Sequence, residues 1–172
     1  MDKPQSKCVN IAIMTVSDTR TEDNDKSGQT LVERLQKAGH NLADKRIVKD
    51  EVDLIKKTLV EWIDSPDVDV VIATGGTGVT GRDVTPEAFE ALYEKSIPGF
   101  GELFRWLSYQ NIKTSTMQSR ATAGVAKGTF LFALPGSTGA CKDAWDGILV
   151  HQLNSNNNPC NLVELMPRLE EK

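Results

Sequence analysis

No stretch of this chain approaches the roughly 20 consecutive apolar residues that a membrane-spanning helix needs. Its opening residues, Met1-Asp2-Lys3-Pro4-Gln5-Ser6-Lys7, lack the apolar core of a secretory signal. A cytoplasmic protein without membrane contact is expected. The cysteines, Cys8, Cys141 and Cys160, are few and odd in number, which leaves no disulfide framework. The only histidines, His40 and His151, stand near no second metal-binding side chain, so a zinc site has no support. Positive charge is outnumbered as well. The net charge is −4, the pI is about 5.2, and no Lys/Arg cluster alternates with aromatics, which argues against nucleic acid as a partner. The Ser/His/Asp and Cys/His arrangements of covalent catalysis and the G-x-x-x-x-G-K-[ST] loop of nucleoside triphosphatases are missing too.

What is present fits one α/β unit over residues 1–172, because 172 residues with 39% apolar content bury a single substantial core. Apolar runs at 9–16, 42–48, 68–74 and 129–134 read as strands. Between them lie helical stripes. Ser27 is placed to cap the first, which carries Leu31, Val32 and Leu35 and closes at Gly39. Asp50 precedes the second, with Val52, Ile55, Leu59, Trp62 and Ile63. Thr85-Pro86-Glu87 is a strong start for a third, with Thr as cap and Pro preset for the first turn. A fourth follows Ile97-Pro98-Gly99 and bears Phe100, Leu103, Phe104 and Leu107, and a last one runs through Ala140, Cys141, Ala144, Trp145 and Ile148. Residues 114–126 show little pattern, and the tail 154–172 is Asn-rich and then apolar at 162–166, either frayed or packed on a partner. Alternating strands and helices give a parallel sheet covered on both faces.

Ligands of such sheets bind at the carboxyl ends of the strands. Ser17 and Asp18, Asp50, Gly75-Gly76-Thr77-Gly78 and Pro135-Gly136-Ser137 all fall on that edge. Asp50 and Ser137 can each be read as a helix cap, and the glycines as a tight turn. Gly76-Thr77-Gly78-Val79-Thr80-Gly81 matches G-x-G-x-x-G, but the next helix begins several residues later, at Pro86, and no second strand ending in an acid follows, so a dinucleotide site is rejected. The remaining reading is a wide turn whose amides approach an anionic, phosphate-bearing ligand, with Thr77 and Thr80 as hydroxyl donors. Arg82, Lys49 and Arg120 are candidate phosphate partners. Asp83 beside phosphates calls for an intervening cation, and Asp50 with Asp83 suggests a hydrated Mg²⁺.

Together, Thr74-Gly75-Gly76-Thr77-Gly78, Arg82-Asp83-Val84-Thr85-Pro86-Glu87, Pro98-Gly99-Phe100-Gly101-Glu102, Ser119-Arg120 and Leu134-Pro135-Gly136-Ser137 resemble the MoaB/MogA family of molybdenum cofactor biosynthesis. The likeness runs from about Val9 to His151, and the stretch Ser115–Ala121 with Pro135-Gly136-Ser137-Thr138 is closer to the MoaB branch. The resemblance implies a three-layer α/β sandwich with a mostly parallel central sheet that binds molybdopterin. Active members join the terminal phosphate of that pterin to AMP, with ATP as co-substrate and Mg²⁺ present. It further implies Asp50 and Asp83 as the catalytic and magnesium-holding pair. Ser17, Gly75, Gly76, Thr77, Gly78, Arg82, Ser119, Pro135, Gly136 and Ser137 then form the phosphate and substrate site. Two features set this chain apart. MogA-type proteins commonly carry a Lys soon after the Pro-Gly pair, whereas Gly139 stands in that region here and Lys142 comes a turn later; some MoaB-branch relatives do not adenylylate, so a binding protein of the same fold stays open beside the enzyme. A homo-oligomer, trimer or hexamer, and contact with other proteins of the pathway are also implied. Trp106 and Tyr109 widen their helix's stripe and either face a neighbouring subunit or lie under 114–126.

Overall fold

The computed structural model describes residues 6–172, and the first five residues of the polar opening segment lie outside the described residues. Six strands form one sheet in the order β2-β1-β3-β6-β5-β4: β1 (Asn10–Val16), β2 (Asn41–Val48), β3 (Val70–Thr74), β4 (Lys95–Ser96), β5 (Thr122–Ala126) and β6 (Thr129–Leu134). The pairs β1–β2, β1–β3 and β3–β6 are parallel, whereas β5 runs antiparallel to both of its neighbours. The sheet is therefore mixed at one edge. Both edge elements were illegible as strands: β5 lies in the weakly patterned stretch and includes Gly124, and β4 has only two residues, both exposed.

Alternation along the strands sorts the core into two layers. Ile11, Ile13, Val70, Ile72, Phe130 and Phe132 point to one face, where they meet α1 (Lys26–Lys37), α4 (Pro98–Ile112) and α5 (Thr138–Ala144). Ala12, Met14, Val71, Ala73, Leu131 and Ala133 point to the other, against α2 (Val52–Ile63) and α3 (Thr85–Glu90). This is the expected three-layer sandwich. The α5 helix continues through a π turn (Trp145–Leu149) into α6 (Val150–Gln152). Among the described residues no helix is long and apolar enough to cross a membrane.

Several local expectations change. Asp25, not Ser27, caps α1, its carboxylate accepting from the Gly28 N–H, because Ser27 instead donates to the Gly136 carbonyl 2.9 Å away. Thr85 does not cap α3: its buried hydroxyl donates to the Gly75 carbonyl at 2.8 Å. Leu103 is 43% exposed rather than a core residue, and Trp106, at 63%, is largely uncovered by the described residues. The tail packs on its own chain, for Val163 of α7 (Leu162–Leu165) is buried in the core while Leu162, Met166 and Leu169 lean on the same cluster.

His40 is buried, accepts at Nδ1 from the Val9 N–H at 3.3 Å and stands edge-on to Trp145. Burial pushes its pKa below the ordinary 6.5, so the folded protein binds fewer protons than the unfolded chain once the pH falls below that value. Stability is therefore expected to drop as pH is lowered from about 7.5 to about 5.5. Urea midpoints across that range will show the slope in the wild type and a flatter one in His40→Asn.

Candidate functional site

The chain runs from β1 to β2 on one side and returns to β3 on the other, so the loops leaving β1 and β3 diverge at the carboxyl edge. The glycine loop leaves β3 there. Gly75 and Gly76 have φ of 107° and 66°, and a β-carbon on Gly75 would strike the Val16 carbonyl oxygen. Gly136 approaches from β6: its β-carbon would stand 3.2 Å from the Gly75 Cα. Three bonds tie these loops together, from Gly75 N–H to the Leu134 carbonyl (2.9 Å), Thr74 Oγ1 to the Pro135 carbonyl (2.8 Å) and Thr85 N–H to the Gly76 carbonyl (3.0 Å).

A cleft of about 560 Å³ opens beside this junction. Gly76, Thr77, Gly78, Asp83, Ser119, Pro135, Gly136 and Ser137 line it together, so eight of the twelve residues anticipated from sequence share one hollow. Ser17 and Gly75 instead line a smaller polar hollow of about 260 Å³ on the β1 side of the loop, which Gly76 and Gly136 also border. A larger hollow, about 630 Å³, is lined by Ser119 and Arg120 and by no residue of the glycine loop.

Asp83 accepts from the Thr80 N–H at 2.9 Å and the Thr80 hydroxyl at 2.6 Å. Partial burial opposes its ionisation, but Thr80, the Gly78 amide and the charge of Arg120 outweigh it and hold the carboxyl below its usual range. Thr80 is thus occupied by Asp83 and is not a free donor. Asp50 does not cap α2, whose first residue follows Glu51. Its carboxylate instead lies beside the loop, with Oδ1 2.9 Å from where a β-carbon on Gly76 would sit. Burial first, then the Asp18 and Asp83 charges, raise its pKa against the pull of Arg82 and the Asp18 amide. Negative charge is crowded here.

The two arginines are engaged within the chain. Arg82 forks onto Asp18 through Nε (3.0 Å) and Nη2 (2.8 and 2.9 Å), which lowers the pKa of the Asp18 carboxyl. It therefore does not project into the cleft as a free phosphate partner. Arg120 donates to the Gly78 carbonyl at 2.7 Å, the Asp83 carbonyl at 2.8 Å and the Glu87 carboxylate, while its own N–H meets the Thr77 carbonyl at 2.9 Å. It clamps the loop from behind. Lys49 is exposed and adds to the field that lowers Asp18. Ser137 does cap α5, accepting from Ala140 N–H at 3.0 Å, and lines the cleft as well.

Sequence reasoning missed the far wall, which α4 and the following 3₁₀ turn (Lys113–Gln118) supply through Ser108, Asn111, Ser115 and Gln118, with Asp143 of α5 beside them. Ser108 carried a signal, since it is a polar residue one turn after Phe104 on the buried stripe.

Magnesium can be tested against this donor set. Among the described residues no three Asp, Glu, His or Cys side chains converge into a cage. An ion held by one or two carboxylates, its own waters and a ligand's phosphates needs none, and the crowded, partly buried Asp50, which feels the charges of Asp18 and Asp83, fits it.

Comparison with known proteins follows the same lines. Residues 12–155 match the family described as "Probable molybdopterin binding domain". Molybdenum cofactor biosynthesis protein B of Escherichia coli (strain K12) is 51% identical over 151 residues, covering 88% of this chain and 89% of that protein. A crystal structure of a molybdenum cofactor biosynthesis protein B superposes with a TM-score of 0.87 at 42% identity, covering 97% of this chain and 99% of the other. The tungsten cofactor synthesizing protein MoaB from Pyrococcus furiosus gives 0.76 at 39% identity, covering 83% and 91%. With its fold, its glycine loop and these likenesses, the chain belongs to the MoaB/MogA family of molybdenum cofactor biosynthesis proteins, on the MoaB branch.

Proposed function

We propose that this protein serves molybdenum cofactor biosynthesis by binding molybdopterin in the 560 Å³ cleft and transferring AMP from ATP to its terminal phosphate. The observation that carries the reading is the convergence of the glycine loop, Asp83 and the Pro135–Ser137 turn on one cleft, with Asp50 against the same loop. An oxygen of the pterin's phosphate attacks the α-phosphorus of ATP, the bond to the β-phosphate breaks, and pyrophosphate leaves. No enzyme nucleophile takes part, so the residues need only orient two anions and offset their repulsion. The glycine-loop amides hold phosphate oxygens, and Asp50 with Asp83 would hold Mg²⁺. When bound, that ion neutralises phosphate charge and orients the leaving group.

A second reading, molybdopterin binding without turnover, is favoured by one feature. Arg82 and Arg120 are both tied up within the chain and supply no free guanidinium for a triphosphate. Incubating the purified protein with molybdopterin and MgATP separates the two: adenylylated molybdopterin and pyrophosphate appear if it is an enzyme, and unreacted bound molybdopterin if it only binds.

In that assay Asp83→Asn is expected to lower turnover by roughly 10²-fold while leaving the urea midpoint near that of wild type, because it removes a charge at the ligand rather than core packing. Asp50→Asn should act likewise. As Asp50 caps nothing and is destabilised as an anion, its variant should be no less stable than wild type. Full turnover in both variants would refute the assignment.

We also propose that the chain assembles as a trimer or hexamer through the exposed face of α4, where Leu103, Trp106 and Tyr109 lie together at helical spacing. Trp106→Glu is expected to shift the assembly toward monomer by placing an unpaired charge in that contact. Light scattering decides the matter, since a wild-type mass near the 18.9 kDa of one chain overturns the proposal.

A further inference from the structure

The floor of the cleft is one stripe of α5 and the turn before it: Gly136, Gly139, Ala140 and Asp143, spaced at helical period. Asp143 lies six positions after Ser137, which at the helical rise is roughly 9 Å. Gly139 and Ala140 between them raise almost no side chain, and Ile112 offers apolar surface from α4. A flat ring fits this stretch. The two ends differ. The inner end is bounded by the glycine loop and the Pro135–Ser137 turn, whereas the outer end presents the Asp143 carboxylate, whose oxygens accept from Asn111 Nδ2 at 3.1 and 3.3 Å. Among the described residues Asp143 takes part in no ion pair, so it is an anion with a neutral partner and lone pairs to spare.

Such a cleft suits a molecule with an anion at one end and two adjacent N–H donors about 9 Å away. We propose that Asp143, oriented by Asn111, is the specificity residue of the cleft and accepts the amino and ring N–H groups of a 2-amino-4-oxopyrimidine edge. The inference rests on the pterin reading of the site and adds the group that would distinguish a pterin from other planar phosphates. A carboxylate meets such an edge with two parallel bonds, and a ring bearing oxygen in place of the amino group sets lone pair against lone pair.

The test uses two fluorescent probes, 6-hydroxymethylpterin monophosphate and 6-hydroxymethyllumazine monophosphate, which differ in that one substituent. Wild type is expected to bind the pterin at least about tenfold more tightly, the size of a lost charge-assisted hydrogen bond. Asp143→Asn should weaken the pterin alone and erase the preference, and Asp143→Glu should restore part of it. Inorganic phosphate should displace the probes from wild type and Asp143→Asn at similar concentrations, showing the inner end intact. Equal affinity of wild type for both probes, or an equal loss of both in Asp143→Asn, overturns this inference and leaves the cleft reading standing. Failure of wild type to bind either probe overturns both.

Discussion

The site depends on a contact that leaves no room for a side chain. Where β3 ends, the Gly75 backbone lies against the Val16 carbonyl on one side and Gly136 on the other, so three strand ends close to backbone distance at one point. A β-carbon there has nowhere to go, and the φ of Gly75 lies where L-residues are strained. Both hollows of the candidate site border that junction. The large cleft opens on one side of it and the small polar hollow on the other, and the Thr74 and Thr85 hydroxyls satisfy carbonyls that the tight turn would otherwise strand.

Charge at the junction follows a second rule. Acidic groups outnumber free basic ones around the loop, and the two arginines nearest it are spent on the protein itself. Asp18 is satisfied by Arg82 and Asp83 by Thr80 and nearby amides, while Asp50 is left with a raised pKa and like charges for neighbours. One carboxylate is thereby kept less satisfied than the others, which is the arrangement that a cation arriving with a phosphate ligand relieves.

Much of this was legible in the residues, and the failures have physical causes. The parallel strands are long β-branched or apolar runs buried on both faces, and such runs announce themselves. The antiparallel edge did not, because β4 is two exposed residues and the Thr122–Ala126 strand, with Gly and Ala in it, is held by its neighbour rather than by propensity. The loops of the site were readable because glycine, proline and carboxylates carry their meaning locally. The cleft's far wall was not: Asn111 and Asp143 are ordinary helix-surface residues until the fold brings α4 beside α5. The assignments of Ser27 and Thr85 as caps failed for one reason. Each hydroxyl faces two possible acceptors, and local sequence does not reveal that a carbonyl from a distant loop wins.

The Arg120 clamp also sets a direction. A trans peptide carries its C=O and the following N–H on opposite sides, so a group that draws carbonyls one way turns the next amides the other way. Arg120 draws the Thr77 and Gly78 carbonyls toward itself, which aims the N–H groups of Gly78 and Val79 away from it, that of Gly78 onto the Asp83 carboxylate. A cation at the back of the loop thus polarises the peptides in front of it. The loop gains, without a long helix, the aligned dipoles that usually make a helix start attractive to anions.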